Sequence, residues 1–155
     1  MNETPAGSQS FMDQAMDEAR AAAGRGEVPV GAVVVDSRTG AVLARAGNET
    51  EATHDPTAHA EVLALRRAAQ AMGGPRLSDC DLYVTLEPCA MCAAAISHAR
   101  IRRLYFGAYD PKGGGVEHGP RFFSQPTCHH APEVVGGLNE TEAAALLRDF
   151  FKERR

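Results

Sequence analysis

Met12, Ala15, Met16 and Ala19 recur at helical spacing, and that spacing predicts a first helix. Ser10 opens it, and Gly24 and Gly26 close it. Residues 28–36 are apolar and rich in valine, which predicts a strand. Residues 41–47 resume the pattern with Val42 and Leu43, so the two segments read as a hairpin whose turn Gly40 supplies. Residues 48–57 read as polar loop. Asp55 and Pro56 suit the cap and first position of a second helix, which reaches Met72 with Val62, Leu65 and Ala69 on one face. Residues 82–86 read as a strand, 88–99 as a helix that Pro88 begins, and 101–107 as a strand. Residues 110–132 are rich in Gly, Pro and His. A loop of that length is usually functional or partly ordered by short helices. Asn139 or Thr141 caps a last helix through Phe151. Helices lying between strands imply crossovers, so the order predicts a three-layer α/β/α domain with a mixed sheet, of which the pattern itself supplies four strands.

The chain has 155 residues, the size of one domain. The polar first ten residues read as a flexible N-terminal tail, which leaves residues 11–155 as a single domain. No run of eighteen apolar residues suggests a membrane span. Four cysteines in a chain of this length, without a signal-like start, suit metal binding, chemistry or packing more than disulfides. The compartment they point to is the cytoplasm. A net charge of −4 is no footprint of a general nucleic-acid binder. Contacts with nucleic acid would come from local patches, and two exist: Arg100, Arg102 and Arg103, and Lys152, Arg154 and Arg155. The plainer reading of both is solvated surface.

Two short motifs carry candidate chemistry: His59-Ala60-Glu61 and Pro88-Cys89-Ala90-Met91-Cys92. Either alone is weak, since a C-x-x-C is also a redox pair or half of a structural zinc site. Together they place one imidazole and two thiols at the predicted starts of two helices. Three protein ligands leave the fourth position for water, as in catalytic zinc sites. A closed site with a fourth ligand from Cys80, Cys128, His129 or His130 remains open on residue count. The amide dipoles of a helix start favour thiolate at Cys89. Residues two apart on a regular helix point about 200° apart. Glu61 is therefore placed beside the metal and its water, outside the ligand set.

The pairing H-x-E … P-C-x-x-C is the signature of zinc nucleobase deaminases. The chain resembles the bacterial tRNA-specific adenosine deaminase branch of the zinc-dependent cytidine/deoxycytidylate deaminase superfamily. The matching segments are residues 27–33 (EVPVGAV), 54–61 (HDPTAHAE), 82–89 (LYVTLEPC), Phe106-Gly107-Ala108 with Asp110, and Asp149-Phe150-Phe151. They span nearly the whole chain beyond its first ten residues. The resemblance implies a three-layer α/β/α, cytidine-deaminase-like domain with a mixed five-stranded central sheet. It implies one zinc ion per subunit on His59, Cys89 and Cys92, and hydrolysis of adenosine to inosine at the wobble position of an arginine tRNA, releasing ammonia. Zinc lowers the pKa of bound water toward neutrality. Glu61 would take that proton, deliver it to ring nitrogen N1, and then protonate the departing amine. Asn48 would hydrogen-bond the base, Val30 and Leu86 would wall the pocket, and Asp110 would meet flanking RNA. Phe150, Phe151 and Arg154 would grip the anticodon stem-loop by stacking and phosphate contact. The family implies a homodimer.

Plainer readings stand beside these. Asn48 is also a turn residue after Gly47, Val30 and Leu86 also suit the core, and Asp110 also starts an Asp-Pro turn. Phe150 and Phe151 also suit docking of an amphipathic helix. The alternative functions are a free-base or nucleoside deaminase acting on guanine or cytosine, and a structural zinc-binding module. Gly113-Gly114-Gly115-Val116-Glu117-His118 and Cys128-His129-His130 have no role that the sequence assigns.

Overall fold

Every residue of β1 (Gly31–Asp36) is buried. Both faces of that strand are therefore covered, as its unbroken valine run requires. It lies inside a five-stranded sheet of order β2-β1-β3-β4-β5, with β2 at Val42–Gly47, β3 at Cys80–Leu86, β4 at Arg103–Ala108 and β5 at Glu133–Gly136. This computed structural model describes residues 6–154, and within the first helix the side chains from Phe11 onward. β1 runs antiparallel to β2 and β3, while β3, β4 and β5 are parallel. The sheet is mixed, as expected.

Alternate strand residues feed two cores. Ala32, Val34, Leu82, Val84, Leu104 and Phe106 face helices α3 (Ala60–Met72) and α4 (Ala90–Ala99). Val33, Val35, Tyr83 and Tyr105 face α1 (Ala6–Gly24). The C-terminal helix shares the α1 side, where its Ala143 packs with Met16 and Ala108. The three-layer arrangement follows. α1 lies close: a Cβ on Gly31 would stand 2.0 Å from the Ala15 carbonyl oxygen, and Gly31 pairs in register with Gly47, where a Cβ would stand 2.8 Å from the Glu18 carbonyl. Only glycine lets backbone approach backbone this way.

Several boundaries differ from expectation. α1 starts at Ala6, so the expected tail is helical from there; residues 1–5 lie outside the described residues. Residues 50–53, expected as loop, form the short helix α2 (Thr50–Thr53). It is anchored by the buried Glu27, whose carboxylate accepts the amides of Glu51 and Ala52 at 3.2 and 2.8 Å. α3 begins at Ala60 and not at Pro56, because Asp55 turns back to accept the amide and hydroxyl of Thr57. Its buried face carries Leu65, as expected, with Leu63 and the small Ala60, Ala64 and Ala68, while the expected Val62 and Ala69 are only half-buried. The fifth strand, β5, carries no apolar alternation strong enough to read: it is four residues long, half exposed, and ends in glycine. One 3-10 turn, Phe122–Ser124, orders part of the long loop. The last helix is α5 (Glu140–Glu153), with Asn139 at its cap position.

Candidate metal centre and cavity

Two helix starts meet at one point. His59 is the residue before α3 and Cys89 the residue before α4, both in extended backbone conformation. Cys92 lies on the first turn of α4 and is fully buried. The parallel pairing of β3 with β4, and the packing of α3 on α4, bring the motifs together across thirty residues. His59 Nδ1 stands 3.7 Å from Cys89 Sγ and 3.5 Å from Cys92 Sγ. All three ligand atoms lie within 4.8 Å of one another. A tetrahedral ion with Zn–N near 2.1 Å and Zn–S near 2.3 Å sets N···S at about 3.6 Å. The donor set and its spacing fit such an ion. Among the described residues this is the only His, Cys and carboxylate grouping of three with that compactness. Cys80 lies elsewhere in the core, burial raising its thiol to about 11. Cys128 bonds the His130 carbonyl and Ser97, and the His130 ring bonds the Ile101 carbonyl. His129 likewise forms no part of the cluster.

The electrostatics follow from crowding. The hydrogen bond from Cys92, then that with His59, brings the Cys89 thiol down to about 4, against the upward push of burial. The same bond raises Cys92, with burial and Glu61 adding to the rise. His59 is raised first by its bond to Cys89. Glu61, second residue of α3, is 4% exposed, and burial pushes its carboxyl up to about 7. It hydrogen-bonds Cys92 and lies beside the cluster. A carboxyl there titrates near neutrality, where a group both takes and returns protons most readily.

Asn48 is buried at the end of β2, and its Oδ1 accepts the Ala60 amide at 2.8 Å. His59, at the cap position, makes no side-chain cap of its own. Asn48 thus closes the first turn of α3 from outside the helix. With Oδ1 committed, the amide nitrogen is the end left to donate. Val30 belongs to the core cluster, and its carbonyl accepts the backbone amide of Asn48 at 3.2 Å.

A cavity of about 740 Å³ opens between α5 and the ends of β3 and β4. Leu86, Asp110 and Phe151 line it, as do Tyr109, Lys112 and Arg148, which the sequence reading passed over. The two phenylalanines of α5 part company. Phe151 is exposed and faces the cavity, whereas Phe150 is buried with the Arg154 guanidinium 3.6 Å over its ring. Lys152 lines the cavity; Arg155 lies outside the described residues. The other basic patch is largely committed to ion pairs, Arg102 with Asp81 at 2.7 Å and Arg103 with Glu133.

Glu87 is the functional candidate that motif reading missed. Its side chain is wholly buried, directly before Pro88 and Cys89. It accepts the amides of Asp110, Val116, Glu117 and His118 and the ring of His118. Burial raises a carboxyl, but these donors outweigh it and hold Glu87 below its ordinary value. An acidic residue between the apolar end of β3 and Pro88 was the signal available: buried charge implies partners.

Residues 7–155 match the family model for MafB19-like deaminases. The chain is 63% identical over 145 residues to a tRNA-specific adenosine deaminase of Agrobacterium fabrum, covering 94% of each. It is 43% identical over 145 residues to one of Bacillus subtilis, covering 94% of this chain and 89% of that one. A solved structure from work on A-to-I editing by tRNA:A34 deaminases at the wobble position superposes with a TM-score of 0.87 at 62% identity, covering 89% of this chain and 99% of the other. A guanine deaminase of Nitrosomonas europaea shares the fold, with a TM-score of 0.79 at 24% identity, over 92% of this chain and 83% of that one.

Proposed function

This chain belongs to the MafB19-like deaminase family, alongside the tRNA-specific adenosine deaminases, and from that premise we propose that it edits adenosine to inosine at the wobble position of tRNA, an arginine tRNA above all. The observation that carries the chemistry is the spacing of His59, Cys89 and Cys92, 3.5 and 3.7 Å from imidazole to thiols, with the buried carboxyl of Glu61 beside them. We read the ion as zinc, one per subunit, which when bound supplies water acidified toward neutrality.

The protein's own groups do the rest. Glu61 takes one proton from the attacking water as the water oxygen bonds C6, and passes that proton to N1. It then takes the second proton from the new C6 hydroxyl and gives it to the amine, so that the C6–N bond breaks and ammonia leaves. The burial of Glu61 suits that traffic, since it pushes the carboxyl up to about 7, near the pH at which it must both take and return protons. Asn48, held by the Ala60 amide, presents its nitrogen to an acceptor on the base. The wobble base must be flipped out of its stack to reach this depth. Tyr109 and Phe151 on the cavity rim offer stacking faces, and Lys112, Arg148 and Lys152 offer phosphate contacts. We place the protein in the cytoplasm, as its cysteine usage suggests, and as a homodimer, as the resemblance implies. Among the described residues no helix is long and apolar enough to cross a membrane.

The test is incubation with an arginine-tRNA anticodon stem-loop, read by sequencing for inosine. We expect inosine at the wobble position alone, and about one zinc per chain by metal analysis. Turnover of free guanine or cytosine with no inosine in the RNA overturns this reading.

A further inference from the structure

The loop 110–118 has a conformation dictated by one side chain. Glu87 Oε1 accepts the Asp110 amide at 2.9 Å and His118 Nδ1 at 2.8 Å. Its Oε2 accepts the amides of Val116, Glu117 and His118 at 3.2, 2.8 and 3.1 Å. Among the described residues, His118 is its sole ion-pair partner; no arginine or lysine meets it. The glycines explain themselves here. A Cβ on Gly114 would stand 2.4 Å from Glu87 Oε2, and one on Gly115 would stand 2.6 Å from the Ala90 nitrogen. Only a chain bare of side chains wraps a carboxylate this tightly. The Gly115 amide also bonds the Pro88 carbonyl at 2.8 Å.

A stable fold alone has no need of a buried charge, since an apolar residue of similar volume is often as stabilising. What the charge does is gather five donors from four loop residues to one point. That loop carries Asp110 and Lys112, and with Tyr109 just before it these form one wall of the cavity. Leu86, on Glu87's other side, forms another. We propose that Glu87 is a positioning residue for substrate recognition: its carboxylate, through the backbone of residues 110–118, sets the RNA-contacting rim of the cavity. This rests on the proposed RNA substrate.

Glu87→Gln turns one acceptor into a donor facing other donors. With the whole protein loaded with zinc, we expect KM for the stem-loop to rise about tenfold, with kcat within about threefold and metal content kept, the scale of one lost charge-assisted bond set. Hydrogen exchange should quicken at the amides of 110 and 116–118 and stay unchanged in α3 and α4. His118→Ala, a milder cut, should raise KM about threefold with kcat held. His118→Gln, which keeps a side-chain donor, should recover most of that loss. Unchanged KM in a folded, zinc-loaded Glu87→Gln protein overturns the proposal, as does lost metal with lowered kcat and unchanged KM. Should Glu87→Gln fail to fold, an unchanged KM in His118→Ala overturns it equally. If the unaltered protein makes no inosine in RNA, the proposed function fails by itself, and the exchange result still reports whether Glu87 holds the loop.

Discussion

Glu61 and Glu87 are the same residue type, both buried, each two positions from a member of the His59, Cys89 and Cys92 cluster. Their surroundings differ. Glu61 sits in a dry setting with few donors, and its carboxyl rises to about 7. Glu87 receives five donors, which hold its carboxyl below the ordinary value despite burial. Donor count separates a proton that moves from a charge that stays. The first suits acid–base chemistry; the second suits holding a loop in shape.

The sharpest test of that contrast is Glu61→Gln. Zinc should stay bound while inosine formation falls by about 10² or more, as for loss of an acid–base group. Its stability in denaturant should match or exceed that of the unaltered protein, since an uncharged amide suits a dry site. Glu87→Gln should do the reverse to stability. It leaves donors facing a donor, and the loss should be about 2–3 kcal/mol by denaturant midpoint. Equal stability for both variants would erase the distinction.

The pH dependence of the two carboxyls carries opposite signs. The folded value of Glu61 is raised, so its contribution is present below about 4.3 and lost as pH rises through about 7. In the metal-free protein, Glu61→Gln should therefore gain on the unaltered chain between about pH 5 and pH 8. The folded value of Glu87 is lowered, so its contribution holds above about 4.3 and is lost as pH falls through the folded value. The gap between Glu87→Gln and the unaltered protein should stay level from about pH 5 to pH 8 and close only in stronger acid. Denaturant midpoints across that range check both. The smallest effect expected is that of His118→Gln, about 1 kcal/mol or less, because four backbone donors still hold Glu87.

Much of this architecture is legible in the sequence. The valines of β1, the alanine and methionine stripe of α1, and the Gly40 turn read correctly because each is a local rule of period or backbone freedom. The convergence of His59, Cys89 and Cys92, with Glu61 beside them, was legible for a similar reason: short spacings at helix starts confine which side chains can meet. The start of α3 was misplaced because Asp55 and Pro56 imitate a cap, while the true first turn is closed by Asn48, twelve residues earlier, just past β2. The strand β5 and the short helix α2 were missed because neighbours, and not their own patterns, hold them.

By itself the sequence singled out the candidates for the chemistry, since the two short motifs together bring imidazole, thiols and a carboxyl to two helix starts. Only the tertiary structure decided what each buried group does. The donors around Glu87 come from backbone 23 to 31 residues away, and backbone amides have no letter in a sequence. The same holds for Phe150 and Phe151. Adjacent letters, they point one to the core and one to the cavity, because a helix turns about 100° per residue and packing chooses which face is hidden.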